Sequence, residues 1–159
     1  MNMTLALRPL EDKDIPLLNE WLHKPYILKW YEDPKAWMDE MEQRNGAFSF
    51  IRHFMVTDEA TPVGFCQYYD CCDAGEDWYS AAVPGEMFSI DYLIGEERYL
   101  GRGCGKQIIR LLLEEVRGHT HAKEVVVQPE EENGASCDIL LANGFVFDEA
   151  KGYFRLSLS

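Results

Sequence analysis

The chain has 159 residues, a formal net charge of −13 and a hydrophobic fraction of 47%. The length suits one domain and no Pro-, Gly- or Ser-rich stretch divides it, so a single domain over residues 1–159 is expected. The hydrophobic fraction excludes a disordered or fibrous chain. The acidic balance argues against nucleic acid as a partner and favours a small cationic substrate.

No apolar run approaches the roughly 18 residues that span a bilayer, so no membrane partner is expected. The first residues, Met1–Thr4, carry neither a basic segment nor an apolar signal core, which predicts a cytoplasmic protein. The five cysteines are odd in number and form no CxxC pair. Reduced thiols are therefore expected, with neither a disulfide framework nor a metal site.

In chain order, period-2 alternation, helical spacing and cap residues divide the first half into six elements. These are strand Thr4–Arg8, helices Glu11–Leu22, Lys24–Tyr31 and Asp33–Asn45, and strands Ile51–Thr57 and Val63–Tyr69. The third helix is expected to bury Trp37 and Met41. The two strands are expected to pair antiparallel through the polar turn Asp58–Pro62.

The second half begins with a long polar and aromatic connection over residues 70–86, and long loops of this kind are often functional. The elements that follow are strand Met87–Ile94, helix Gly103–Arg117, strand Glu124–Gln128, helix Asn133–Ala142 and a hairpin of Phe145–Glu149 with Tyr153–Leu158. This order predicts an α/β (α+β) fold, with a mixed, mostly antiparallel sheet of six to seven strands and helices on both faces.

Three glycines alternate at positions 101, 103 and 105, directly before the amphipathic helix 103–117. Glycine lets successive backbone N–H groups turn inward without a Cβ in the way, and a helix N-terminus adds partial positive charge. Arg102 and Lys106 add full charges. A pyrophosphate-binding loop is therefore predicted in preference to a flexible connection, although the pattern is neither a Walker loop nor a dinucleotide fingerprint.

The segment Tyr99–Lys106, Tyr-Leu-Gly-Arg-Gly-Cys-Gly-Lys, follows the strand Ser-Ile-Asp-Tyr-Leu-Ile at 89–94. Together they resemble the acetyl-CoA motif of the GNAT superfamily. Within it, the chain is most similar to the aminoglycoside 6'-N-acetyltransferases. Shorter matching pieces include Leu7–Leu10, Val63–Gln67 and Asn143–Phe145, so the resemblance covers nearly the whole chain.

The resemblance implies direct transfer of an acetyl group from acetyl-CoA to a primary amine, with CoA as the second product and no acyl-enzyme. The acceptor that it implies is an aminoglycoside-like polycation, acetylated at its 6'-nitrogen. The residues that it implies for the cofactor are Leu93, Ile94, Arg98, Gly101, Arg102, Gly103, Cys104, Gly105, Lys106 and Asn133. A monomer or homodimer is expected.

An alkylammonium cannot attack a thioester until it loses a proton, so the site needs a proton acceptor. Asp91 is the best candidate, because a carboxylate in the middle of a strand requires an explanation. Alternation places it on the same strand face as Ser89 and Leu93. The alternative is a solvated or structural carboxylate.

A polycationic sugar would be bound by carboxylates and flat aromatic faces. The residues assigned to the acceptor on this basis and from the resemblance are Trp30, Tyr31, Gln67, Tyr69, Glu76, Asp77, Trp78 and Gln128. Two of them depart from the family pattern: Gln128 stands where the aminoglycoside enzymes carry Asp, and Glu76 replaces a shorter acid.

The superfamily often uses a tyrosine to protonate the departing CoA thiolate, and the matching place holds Leu140. Solvent, Tyr92 or Tyr153 would substitute, or the thiolate would leave unprotonated. Two alternatives to the main interpretation stay open. One is a GNAT enzyme that acylates a protein amine, a polyamine or a siderophore-type intermediate, and the other is a non-catalytic acyl-CoA-binding sensor.

Overall fold

A computed structural model describes residues 3–80, 83–129 and 133–158 of the chain. Its strands are β1 (Leu5–Pro9), β2 (Ile51–Asp58), β3 (Thr61–Asp70), β4 (Met87–Ile94), β5 (Glu124–Val127), β6 (Val146–Asp148) and β7 (Tyr153–Ser157). They form one seven-stranded sheet in the order β1-β2-β3-β4-β5-β7-β6. Among the described strands, only β4 and β5 pair in parallel. The predicted mixed, mostly antiparallel sheet is thus confirmed.

Helices cover both faces of this sheet. They are α1 (Ile15–Leu22), α2 (Pro25–Leu28), α3 (Pro34–Glu42), α4 (Cys71–Ala74), α5 (Cys104–Arg117) and α6 (Gly134–Ala142), with short 3-10 turns at Asp12–Asp14 and Glu97–Tyr99. None of the helices in these described ranges has the length and apolar character needed to cross a membrane.

The two faces have separate cores. On one, α5 packs through Ile108, Leu112 and other apolar side chains against Phe88 and Ile90 of β4. On the other, α1 and α3 pack against alternate residues of the central strands, including Leu93 of β4. Even-numbered residues of β4 therefore face α5 and odd-numbered residues face α1–α3, as the sequence alternation predicts.

One of the two burial predictions for α3 was wrong. Met41 is fully buried, but Trp37 is only half-buried and its ring meets that of Tyr31 edge-on at 4.8 Å between centroids. Met38 takes the second core position of α3, because it lies on the helix face that packs against α1.

The long connection 70–86 is partly ordered by its own sequence. Asp70 caps α4, since its side chain accepts a hydrogen bond from the backbone N–H of Cys72 at 3.0 Å. Gly75 ends α4 in the left-handed region, with φ of 60°. The residues that follow are held against β3 and α4, because the Tyr69 hydroxyl donates to Glu76 Oε1 at 2.6 Å and the Tyr79 hydroxyl donates to the Cys71 carbonyl at 2.7 Å.

Candidate active site

A large cleft opens where β4 and β5 diverge. Their parallel pairing covers only Met87–Ser89 of β4, so from Ile90 onward β4 has no strand partner among the described residues on its β5 side. The cavity there has a volume of about 1010 Å³. It extends from the glycine loop at the start of α5, along β4, to the aromatic side chains of α2, α3 and the segment after α4. A long, narrow ligand with a charged end fits this shape.

The glycine loop forms one end of the cleft. Gly101 and Gly103 adopt φ of 72° and 80°, a conformation that residues with a Cβ seldom take. Gly103 is the N-cap of α5, so the free N–H groups of that helix point toward the cleft beside Lys106. Backbone donors, the helix dipole and an ammonium group together make this end suitable for a pyrophosphate.

Arg98 and Arg102 lie beside the loop and do not line the cleft. Their guanidinium carbons stand 5.2 and 4.9 Å from the centroid of the Tyr99 ring. The Tyr99 hydroxyl in turn donates to Asp58 Oδ2 at 2.6 Å, which lowers the pKa of that carboxyl and ties the loop to β2. Both arginines are exposed at the mouth, where they can add to the positive potential around a phosphate.

The open part of β4 is crossed by α2 and the residues around it. The Tyr26 hydroxyl donates to the Ile94 carbonyl at 2.7 Å, and Lys24 Nζ donates to the Gly95 carbonyl at 2.7 Å. Tyr31 also donates, from its hydroxyl to the carbonyl of Tyr92. These contacts hold α2 over the strand and place two tyrosine rings along the wall of the cleft.

Asp91 lies in the cleft near the middle of β4. Its Oδ2 accepts a hydrogen bond from Gln67 Nε2 at 2.9 Å. Burial, with a smaller contribution from the charge of Glu76, raises the pKa of Asp91 from its ordinary 3.8 to about 6, although the hydrogen bond from Gln67 opposes the shift. A carboxylate with a pKa just below neutral is ionised at pH 7 yet accepts a proton readily, which suits a general base.

Two further carboxylates face Asp91. Glu76 accepts a hydrogen bond from the Tyr69 hydroxyl at 2.6 Å. Glu40 of α3 lines the same cleft and makes no hydrogen bond or ion pair with any described residue. Burial raises the pKa of Glu40 to about 7, with added repulsion from Asp91 and Glu76. The mutual repulsion of three carboxylates creates a strong local preference for cations.

Sequence reasoning missed Glu40, although a signal was present. Trp37 and Glu40 are three residues apart on one helix and therefore share a face. Once Trp37 was assigned to the core, that face was assumed to point away from solvent. The structure places both side chains in the cleft.

Most side chains predicted for the acceptor meet in this cleft. Those that line it are Trp30, Tyr31, Gln67, Tyr69, Glu76, Trp78 and Gln128. Asp77 does not; it is exposed on the outer side of its loop. Gln128 lies just beyond β5, where its Nε2 donates to the Gly152 carbonyl at 3.2 Å. Asn133 also lines the cleft and caps α6 by accepting from Ser136 N at 3.1 Å.

Leu140, which stands at the place of the missing tyrosine acid, and the two tyrosines considered as its replacements lie in different parts of the structure. Leu140 is 1% exposed and belongs to the core beside α5. Tyr153 is equally buried, in a cluster with Tyr79 and Val126 outside the cleft. Tyr92 lines the cleft, and burial raises the pKa of its hydroxyl. Of the two tyrosines, only Tyr92 has access to a bound ligand.

A parallel strand pair diverges above a glycine loop at a helix N-terminus, and a carboxylate with a pKa just below neutral lies beside the opening. This arrangement suits an acyltransferase that uses a CoA thioester. Residues 11–151 match the family model described as acetyltransferase (GNAT) domain. The chain therefore belongs to the GNAT family. It is an N-acetyltransferase with acetyl-CoA as its donor, and the predictions of family, enzyme class and cofactor are confirmed.

Relatives of known activity share its fold. Aminoglycoside N(6')-acetyltransferase type 1 of Klebsiella pneumoniae is 22% identical over 138 residues, which cover 83% of this chain and 69% of that protein. A structure of aminoglycoside acetyltransferase AAC(6')-Ib in complex with coenzyme A superposes with a TM-score of 0.82 at 20% identity, over 98% of this chain and 95% of that one. The structure of an aminoglycoside N(6')-acetyltransferase from Legionella pneumophila superposes with a TM-score of 0.76 at 17% identity, over 99% of this chain and 94% of that one.

Proposed function

We propose that this enzyme acetylates a primary amine of an aminoglycoside-like polycation, at the 6'-nitrogen. The observation that carries the proposal is the set of three carboxylates, Asp91, Glu76 and Glu40, within one aromatic-walled cleft. A monoamine would leave two of these charges uncompensated, whereas a polycation neutralises several at once. Trp30, Trp37 and the other rings supply flat faces for sugar rings and for cation–π contacts. AAC(6')-Ib, which shares the fold, has been solved with kanamycin and coenzyme A.

In the proposed reaction, Asp91 accepts a proton from the bound ammonium. The free amine nitrogen then forms a bond to the thioester carbonyl carbon, and the C–S bond breaks with its electron pair leaving on sulfur. The second proton of the amine goes to solvent or to the thiolate. Because a thiol has a pKa near 8.5, the thiolate is a tolerable leaving group without a dedicated acid. Tyr92, which lines the cleft, would be the side chain that donates a proton to it.

The cofactor would lie along β4, with its pyrophosphate on Gly101–Lys106 and its pantetheine arm in the opening beside Leu93 and Ile94. Arg98 and Arg102 would act at the mouth through charge, and Asn133 would approach the cofactor from α6. Cys104 would contribute through its backbone, since its thiol is buried against Met3.

We further propose that residues 1–159 act as one domain in the cytoplasm, as a monomer or homodimer. All described strands belong to one sheet, which supports the first point. All five cysteines are free thiols, which supports a reducing compartment.

The test is release of CoA from acetyl-CoA, followed with a thiol reagent, in the presence of kanamycin, tobramycin, spermidine or a lysine-containing peptide. The proposal predicts turnover with the two aminoglycosides and a kcat/KM for them at least tenfold above that for spermidine. Turnover with spermidine or the peptide alone would replace the proposed acceptor with a polyamine or a protein amine.

A further inference from the structure

Three polar side chains stand side by side across the central strands. His53 of β2 is directly opposite Gln67 of β3, and Gln67 is directly opposite Asp91 of β4. Opposed residues on neighbouring strands project from the same face with their Cβ atoms about 5 Å apart. The three side chains therefore form a row on the α1–α3 face, which ends at the carboxylate proposed as the base.

The row contains polar atoms that no described residue satisfies. His53 is 6% exposed and Gln67 is 2% exposed. Gln67 Nε2 donates to Asp91, but Gln67 Oε1 and both ring nitrogens of His53 have no hydrogen-bond partner among the described residues. Unsatisfied buried polar atoms cost free energy and are uncommon in folded proteins. The unsatisfied atoms lie in adjacent residues, and the His53 ring can supply a donor where Gln67 has an acceptor. A hydrogen-bonded link between the two side chains would therefore satisfy both.

The surroundings of His53 keep its ring neutral. Burial, with a smaller contribution from the charge of Arg44, lowers the pKa of His53 from 6.5 to about 4, although an interaction with the backbone of Ile51 opposes the shift. A neutral imidazole has one N–H donor and one acceptor nitrogen. The other charged or titratable groups that act on the far end of the row are Glu40, Glu76, Tyr31 and Tyr69, all from the cleft side.

We propose that His53 is a positioning residue for the acetyl transfer. Its ring N–H is donated to Gln67 Oε1 through one water, and this fixes the Gln67 amide with its NH₂ toward Asp91. Without that anchor the amide can rotate and present its oxygen to the carboxylate, which removes the hydrogen bond and adds repulsion. His53 itself touches neither substrate nor cofactor. The inference rests on the proposed role of Asp91.

The test is His53→Leu, which removes both ring nitrogens and keeps an apolar side chain in the space. We expect kcat to fall about tenfold, the effect of losing one hydrogen bond to a charged group, with the KM for acetyl-CoA unchanged. The acidic limb of the kcat/KM profile should move to higher pH, because Asp91 loses the hydrogen bond that favours its ionised form. The Tm should change little, because the substitution removes two buried ring nitrogens while it takes one partner from Gln67 Oε1, and these two effects oppose each other.

Two further variants make the test specific. His53→Gln keeps an N–H donor and should recover most of kcat and the original pH profile. In a Gln67→Leu background, His53→Leu should have no additional effect, because His53 acts through Gln67. Should His53→Leu fold poorly, His53→Phe, which keeps an aromatic ring and has no donor, provides the same cycle when it is paired with Gln67→Leu.

A purely structural role predicts the opposite pattern, in which Tm changes while kcat stays within twofold and the pH profile does not move. That result would overturn the inference, as would a full His53→Leu effect in the Gln67→Leu background. The proposed function fails separately: it is in error if Asp91→Asn keeps wild-type turnover. If Asp91→Asn is inactive and His53→Leu is normal, only the positioning role is lost.

Discussion

Replacing Asp91 with Asn removes the proposed base while keeping the shape of the side chain. General base catalysis contributes about 10² to 10⁴ in rate, or roughly 2.7–5.5 kcal/mol in the barrier. We therefore expect kcat to fall by at least about 10²-fold. Acetyl-CoA binding, measured by calorimetry, should be unchanged, because Asp91 is not one of the residues proposed to hold the cofactor. Wild-type kcat/KM should decline below a pH of about 6, where Asp91 becomes protonated.

The same substitution should stabilise the fold at alkaline pH. The pKa of Asp91 is higher in the folded protein, about 6, than its ordinary 3.8. The ionised form is therefore disfavoured by folding, and stability is lost as the pH rises through 6. The pKa difference of about two corresponds to about 3 kcal/mol in the free energy of unfolding. Because solvent reaches the cleft and screens the charge, we expect a gain of about 1–2 kcal/mol for Asp91→Asn.

Urea unfolding at pH 8 and pH 4 tests this directly. The free energy of unfolding of Asp91→Asn should exceed that of wild type at pH 8, and the difference should vanish at pH 4. Loss of activity together with a gain in stability cannot be explained by misfolding. A variant that keeps more than a tenth of wild-type kcat would refute the assignment of Asp91 as the base.

Three other substitutions probe the cleft and its support. Glu40→Gln should raise the KM for a polycationic acceptor about fivefold to tenfold, because one charged contact is lost. The KM for acetyl-CoA should not change. An equal rise in KM for spermine and for a monoamine would contradict a role of Glu40 in binding polycations. In the wild-type enzyme, the KM for the acceptor should fall as the pH rises through about 7, because Glu40 becomes ionised there. Gly95→Ala should lower the free energy of unfolding by more than about 3 kcal/mol, because a Cβ there would stand 2.0 Å from the Trp21 ring. Gly134→Ala, where a Cβ meets open space, is the control in urea unfolding. Gly103→Val should weaken acetyl-CoA binding at least tenfold by calorimetry, because the φ of 80° at that position excludes a β-branched residue; unchanged affinity would show that the loop does not hold the cofactor.

The features of the fold that depend on local pattern could be predicted from the sequence. Alternation in β4 and helical spacing in α5 gave these elements nearly to the residue. The alternating glycines predicted the tight loop at the start of α5, because the positive φ angles of Gly101 and Gly103 and the helix start are encoded locally. The boundaries that differ lie where tertiary contacts decide. One example is the end of α3 at Glu42, three residues before the predicted end.

The acceptor side of the cleft could be predicted only in part. Periodicity assigns Trp37 to an apolar stripe, but it cannot say whether that stripe meets the core or an open cavity. Glu40 was therefore missed together with Trp37. The role of His53 depends on strand register, which pairs it with Gln67 across β2 and β3. Register is fixed by the whole sheet and cannot be determined from one strand.

The central claim is acetylation of a 6'-amine on an aminoglycoside, and a pair of acceptors tests it most directly. Neomycin and paromomycin differ only at the 6' position, where neomycin has an amine and paromomycin a hydroxyl. The measurement is CoA release with each, together with the mass of the product. The account predicts turnover of neomycin to a singly acetylated product and no turnover of paromomycin. Equal turnover of the two would contradict transfer to the 6'-nitrogen, and turnover of neither would remove the aminoglycoside acceptor.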